Sequence, residues 1–279
     1  MSRLGLTPTG VTICATAGLG LFLVTRIIQG PSNDLPEVIG EASCVVAYLI
    51  GLHSCWHLAA LYPRKSPVGL GWLAMGGNCF LSVFRHLALN PLLRKAIGLQ
   101  QRVYWISQST QLFALICVLI GTLAIWWGIY RLLIGVRLHW RDFRGIAVMA
   151  ALVIWAVGSH VSLSHSGQGG IAFLQVFSLG LLIAIGAVGL LLHSLSMQMG
   201  GGRLAMVMQW IAAYALTRST LTFTQGWGLD SSLAWRLAFY SVPWIFALGA
   251  AYSCWLADSV KRGIGWQPCR NWDVSSLAE

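Results

Sequence analysis

The sequence predicts an all-α fold, a polytopic integral membrane helix bundle of about eight transmembrane helices. Three observations carry that expectation. The 279-residue chain is 57% hydrophobic and only 9% charged, whereas a soluble domain carries about 25% charged residues to cover its water-facing surface. Apolar runs of about twenty residues, enough to cross a bilayer, alternate with short stretches of loop composition. The chain also holds 14 Trp, a residue type that favours the membrane interface.

The first span, roughly 10–29, ends at the breaker "GPSNDLPE". It is long for a cleaved signal and lacks a small-residue exit site, so it reads as a retained helix. The second, roughly 40–62, ends at "YPRKSP", and the third covers 68–90. Between the third and the fourth, "LLRKAIGLQQRVY" at 92–104 sets basic residues among apolar ones at helical spacing, the pattern of an interfacial amphipathic helix. The remaining spans are roughly 106–133, 145–164, 170–195, 203–223 and 234–258, divided by "RLHWRDFRG", "HSGQGG", "QMGGGR" and "TQGWGLDSS". No soluble domain and no internal repeat stand out, so residues 1–279 read as one transmembrane bundle. Recurrent glycines on the spans, such as Gly18, Gly76, Gly77 and Gly189, permit close helix approach.

The net charge is +10. With no basic soluble domain to present it, this argues for loop charges that set orientation, and against a nucleic-acid partner. Loop counting favours both termini inside. Arg64, Lys65, Arg131, Arg137 and Arg141 then fall on the inner side, and Arg26, Arg85 and Arg236 on the outer one. The basic segment at 92–104 argues the other way, because such helices prefer an anionic leaflet.

Only eight acids exist, and none sits in the middle of a span, which counts against a proton-coupled transporter or an intramembrane hydrolase. The seven cysteines form no CxxC pair and read as small buried hydrophobes. "HSCWH" at 53–57 has the spacing of a zinc-protease helix, but Ser54 occupies the general-base position and no third ligand is near, so no metal site is assigned.

Two layers of histidine emerge from depth along the spans. His53, His57 and His193 share one membrane side, while His86, His160 and His165 share the other. Such layers could hold b-type haem between facing helices, with His57, His193, His86 and His160 as candidate ligands. Arg218, in "YALTRSTLTF", lies inside a span, where an arginine marks a polar site that contacts an anion, a quinone oxygen or a headgroup, or else caps helix-end carbonyls. Asn78, Gln111 and Gln175 read as inter-helix hydrogen-bonding residues, and Trp126 and Trp127 as an aromatic belt.

His57-Leu58-Ala59, Pro63-Arg64 and Gly71-Trp72-Leu73 together resemble the "HLGxPxRA"-like element and following helix start of the membrane-anchor subunits of dimethyl-sulfoxide-reductase-type enzymes. "ATAGLGLFLV" in the first span and Trp105-x-Ser107-x-x-Thr110 are similar to other parts of that family. The resemblance covers about 90 residues, and Ala59 stands where the family element has glycine. It implies an eight-helix anchor in a bacterial inner membrane. Such an anchor oxidises menaquinol or another quinol and passes electrons to an iron–sulfur subunit and a molybdopterin catalytic subunit, with no haem of its own. His57 is then the matching quinol ligand and proton acceptor, with Arg64, His53 and Arg218 in support. Three functions stay open: this quinol-oxidising anchor, a b-type cytochrome subunit, and a non-redox transporter or sensor bundle using Arg218 for an anionic ligand.

Overall fold

The computed structural model describes residues 7–30, 34–63, 65–92, 100–132, 169–199, 202–225 and 232–261. They form seven α-helices: α1 (Pro8–Gln29), α2 (Leu35–Leu61), α3 (Pro67–Leu89), α4 (Gln100–Leu132), α5 (Gly169–Gln198), α6 (Arg203–Gln225) and α7 (Leu233–Lys261). Six of them are long and apolar enough to cross a membrane. The exception is α6, the least apolar of the seven and the helix that carries Arg218. The protein is thus an all-helical membrane bundle as far as it is described. The eighth span expected at 145–164 lies outside the described residues.

Local chemistry sets the helix ends. Thr7 caps α1, its Oγ1 accepting from the Gly10 N–H at 3.2 Å, and Pro8 follows at the first helical position, where a missing N–H costs nothing. Gly30 closes the same helix at φ 73°, a conformation that favours glycine. Pro36 and Pro67 start α2 and α3 in the same way. In the third gap, α4 begins at Gln100, so the last part of the basic 92–104 segment belongs to that long helix, and 93–99 lie outside the described residues.

The helices from α2 to α7 form a closed ring in which each packs on its neighbours in sequence and α7 returns to α2. α1 stands outside the ring against α2 and α7. Short connections make α1–α2, α2–α3, α3–α4, α5–α6 and α6–α7 antiparallel pairs. By contrast, α2 and α7 run parallel, with contacts between residues about 200 positions apart along their whole length. Arg236 pairs with Glu37, Trp244 Nε1 donates to Ser43 Oγ at 2.9 Å, Cys254 Sγ lies 3.2 Å from the Ser54 carbonyl, and His57 lies 3.3 Å from Asp258. The ring interior is filled by a continuous apolar cluster that includes Met75, Leu115, Ile125, Ile185, Leu192, Met208 and Phe246.

Small residues hold α3 and α4 close. A Cβ on Gly71 would lie 2.8 Å from the Gly121 carbonyl oxygen and 2.6 Å from Ile125 Cγ1. Without a hydrophobic force between helices in lipid, such backbone approach and the packing it permits hold the pair together. The outer surface is apolar, with Ile13, Ile27 and Ile28 on α1, Trp56 on α2 and Phe80 on α3 strongly exposed. In a bilayer these side chains face lipid, and the backbone polar groups are satisfied within the helices.

Candidate functional site

Toward the end of the bundle where α2 begins and α3 finishes, the apolar interior gives way to a cluster of polar and charged side chains. α2 contributes Glu41 and Tyr48, two turns apart and so on one face. α3 contributes Asn78, Ser82, Arg85 and His86, α6 contributes Tyr214 and Arg218 one turn apart, and α4 contributes Gln111. Glu41, Asn78, Ser82, His86, Tyr214 and Arg218 are all buried.

The cluster is continuous. Arg218 Nη1 donates to the Tyr48 hydroxyl at 2.8 Å and to the Tyr214 hydroxyl at 2.9 Å, joining α6 to α2 across the ring. Asn78 Nδ2 donates to the same Tyr214 hydroxyl at 3.2 Å, and Ser82 Oγ lies 3.4 Å from Asn78 Oδ1. On the other side of Tyr48 its ring stacks at a tilt on the His86 imidazole, with centroids 5.4 Å apart. His86 Nδ1 lies 2.5 Å from Glu41 Oε2, a separation at which the two share one proton or form an ion pair.

Tyr48, Arg85, His86, Gln111 and Arg218, with Leu221, Phe239, Val242 and Pro243, line a cavity of about 30 Å³. That is room for more than one water-sized group among polar partners. Pro243 lies inside α7, where proline lacks the N–H that would bond the carbonyl one turn back. Arg85 Nε is buried and has no hydrogen-bond partner among the described residues.

Charge decides what such a cavity can hold. Arg85 and Arg218 are both cationic, since a guanidinium keeps its proton in proteins. The Glu41–His86 pair is neutral or carries a single negative charge, according to its proton count. Two guanidinium groups from different helices thus face one cavity, an arrangement that favours a negative group there. Nearby, Glu37 and Arg236 neutralise one another.

Of the residues singled out in the sequence, Arg218 and His86 are in this cluster. His57 is not. It lies about 13 Å along α2 from Tyr48, at about 1.5 Å per residue, toward the opposite end of the bundle. There its side chain is 43% exposed and meets Asp258. His53 and His193 are exposed on α2 and α5. Arg64 and His160 lie outside the described residues, as does the side chain of Gln175. The structure thus separates Arg218 from His53 and His57, and places His57 and His86 at opposite ends of the antiparallel α2–α3 pair. Trp126 stacks on Tyr130 with centroids 5.5 Å apart, and Arg131 covers the Trp127 ring at 4.9 Å, at the far end of α4. No three metal-ligating side chains converge among the described residues.

Two members of the cluster differ from their sequence reading. Arg85, counted above as a loop charge, lines the cavity from the last turns of α3. Glu41, at the margin of the expected second span, is a buried carboxylate well inside α2, because the helix begins at Leu35 rather than near residue 40. The signal was present in the sequence: an acid near the start of one span and a histidine near the end of the next share a depth when the two are antiparallel.

The fold and the cluster together define an integral membrane helix bundle with a charged cavity in its interior. Comparison with known protein families, curated proteins and solved structures finds no match.

Proposed function

We propose that the protein binds a small anion inside the membrane, as a transporter or receptor for it. One observation carries this reading: two arginines, Arg85 and Arg218, from different helices line one cavity. Tyr48 and Gln111 add neutral polar groups that can orient an oxyanion. The volume favours an anion of a few heavy atoms, such as nitrate, formate or chloride, over a long-chain substrate. An arginine held by two tyrosines costs little reorganisation when the ligand arrives, which is the condition for useful affinity in a buried site.

The reading is tested by titrating the purified protein in lipid nanodiscs with nitrate, formate and chloride, against a constant background of gluconate. Saturable binding that weakens at least tenfold in Arg218→Gln and in Arg85→Gln supports it. Arg85→Gln guards against a folding artefact, because Arg85 Nε makes no hydrogen bond among the described residues. No binding by the wild type, or binding untouched by both substitutions, contradicts it.

A second reading is favoured by the 2.5 Å Glu41–His86 contact beside the cavity. A quinol gives up two protons on oxidation, and a carboxylate–imidazole pair is suited to take one. In that case the quinol-oxidising anchor suggested by the family resemblance would use His86 and Glu41 rather than His57. It would pass electrons to iron–sulfur and molybdopterin partners in a bacterial inner membrane. Oxidation of a soluble quinol analogue by the protein with an electron acceptor, lost in His86→Gln, would favour this reading over the first.

A further inference from the structure

We infer that the cavity selects an oxyanion carrying its own O–H group, of which hydrogencarbonate is the smallest example. This rests on the anion reading above and narrows it to a substrate class.

A backbone carbonyl in the cavity wall carries the inference. Pro243 is buried inside α7, and both it and Phe239, one turn earlier, line the cavity. In a helix the Phe239 carbonyl points along the axis at the backbone nitrogen of Pro243. That nitrogen carries a ring carbon instead of a hydrogen, so the Phe239 carbonyl has lost its helical donor. The two residues that flank this carbonyl both face the cavity, which places it in the same wall.

No side chain takes over as donor among the described residues. Ser241 Oγ, in the same turn, donates to the Leu237 carbonyl at 2.7 Å. Trp244 Nε1 donates to Ser43 Oγ at 2.9 Å, and Trp235 Nε1 to the Leu221 carbonyl at 3.2 Å. The Phe239 ring stacks on Trp235 with centroids 5.2 Å apart, which holds this turn of α7 in place. Inside a membrane a free carbonyl is costly, and proline is tolerated in a span where another group supplies the hydrogen.

The same lining has the opposite need. Arg85 Nε is a buried donor with no acceptor among the described residues. One cavity of about 30 Å³ thus offers both a donor and an acceptor, close enough for one ligand of a few heavy atoms to meet both. Nitrate, formate and chloride bring acceptors only. Each can satisfy Arg85, but each leaves the Phe239 carbonyl unpaired and sets a negative atom beside it. Hydrogencarbonate has the planarity, size and charge of nitrate and one O–H besides. Its oxygens accept from Arg85, and its O–H donates to the Phe239 carbonyl. A site built around a ligand hydroxyl rejects the analogue that lacks it, because the site's own polar group then stays buried and unpaired.

The test compares hydrogencarbonate with nitrate by titration of the nanodisc-embedded wild type, in a gluconate background at mildly alkaline pH, where hydrogencarbonate is the main carbonate species. Hydrogencarbonate is expected to bind about tenfold more tightly. Pro243→Ala restores an N–H for the Phe239 carbonyl with the best helix-forming residue, so nitrate binding should persist while the preference disappears. Infrared difference spectra of the wild type, isotope-labelled at its phenylalanine carbonyl carbons, read the contact without altering the site. Hydrogencarbonate should lower the frequency of one labelled carbonyl band and nitrate should not. The signal should vanish in Phe239→Leu, which leaves that carbonyl unlabelled. Equal affinity for the two anions in the wild type, a preference that survives Pro243→Ala, or no labelled-carbonyl shift overturns the O–H assignment and leaves the anion site standing. No binding of hydrogencarbonate, nitrate, formate or chloride overturns the anion reading and this one with it.

Discussion

Tyr48 sits at the junction of everything polar in the bundle. Its hydroxyl accepts from Arg218 and its ring rests on His86. Replacing it with phenylalanine keeps the ring and removes one acceptor from a buried cation, which costs about 1–3 kcal/mol. The expected outcome for Tyr48→Phe is a loss of stability of that order in denaturant unfolding, together with weaker nitrate binding. A variant as stable as wild type would show that the Tyr48 hydroxyl contributes nothing. At this scale the sequence was informative wherever a single residue breaks the rules of its surroundings. Arg218 is legible because an arginine inside an apolar span is costly by itself. Glu41, His86 and Arg85 are each unremarkable at a helix margin. Only the register between α2 and α3 makes a site of them, and no single span carries that register.

Among the elements, the α3–α4 pair depends most on particular small residues. Gly71→Ala places a methyl group within 3 Å of the Gly121 carbonyl and of Ile125, so the helices must part. Overpacking of that kind costs about 1–3 kcal/mol. Gly20 of α1 has nothing within 4 Å of its would-be Cβ, so Gly20→Ala serves as a control and should be neutral or slightly stabilising. Thermal unfolding of the two variants in the same detergent checks this, and equal melting temperatures would contradict the close α3–α4 approach. The element boundaries were largely legible. Pro8, Pro36 and Pro67 mark helix starts, and α3 occupies Pro67–Leu89 against an expected 68–90. Two starts were missed for one reason: hydropathy detects the apolar middle of a span, while the helix extends beyond it. α2 begins at Leu35 and α4 at Gln100, and the extra turns carry polar residues, among them Glu37 in α2.

For the whole molecule, ring closure rests on the parallel pairing of α2 and α7, which joins the two ends of the ring. His57 and Asp258 meet near one end of that pairing, with Nε2 and Oδ1 3.3 Å apart. Cysteines introduced as His57→Cys and Asp258→Cys, in a background without native cysteines, should therefore cross-link on oxidation and change gel mobility. A pair placed at His53 and His193 is the comparison, since both side chains are exposed. Failure of the first pair under conditions that oxidise an exposed control would contradict the closure. The membrane class was legible from composition alone, because 9% charged residues cannot cover a water-facing surface. The closed ring was not legible, since hydropathy reports how deep a residue lies and not which helices are neighbours. For the same reason His57 drew attention through its local motif, while the cavity formed around residues from five helices, α2, α3, α4, α6 and α7.

The central claim is that the cavity between Arg85 and Arg218 takes an anion, and the most direct measurement is crystallographic. Crystals of the protein grown or soaked in bromide, with data collected at the bromine absorption edge, locate the ion without interpretation of shape. The account predicts an anomalous peak inside the bundle, within hydrogen-bonding reach of both guanidinium groups and beside Tyr48. A structure with bromide bound elsewhere on the protein and no peak in this cavity would contradict it.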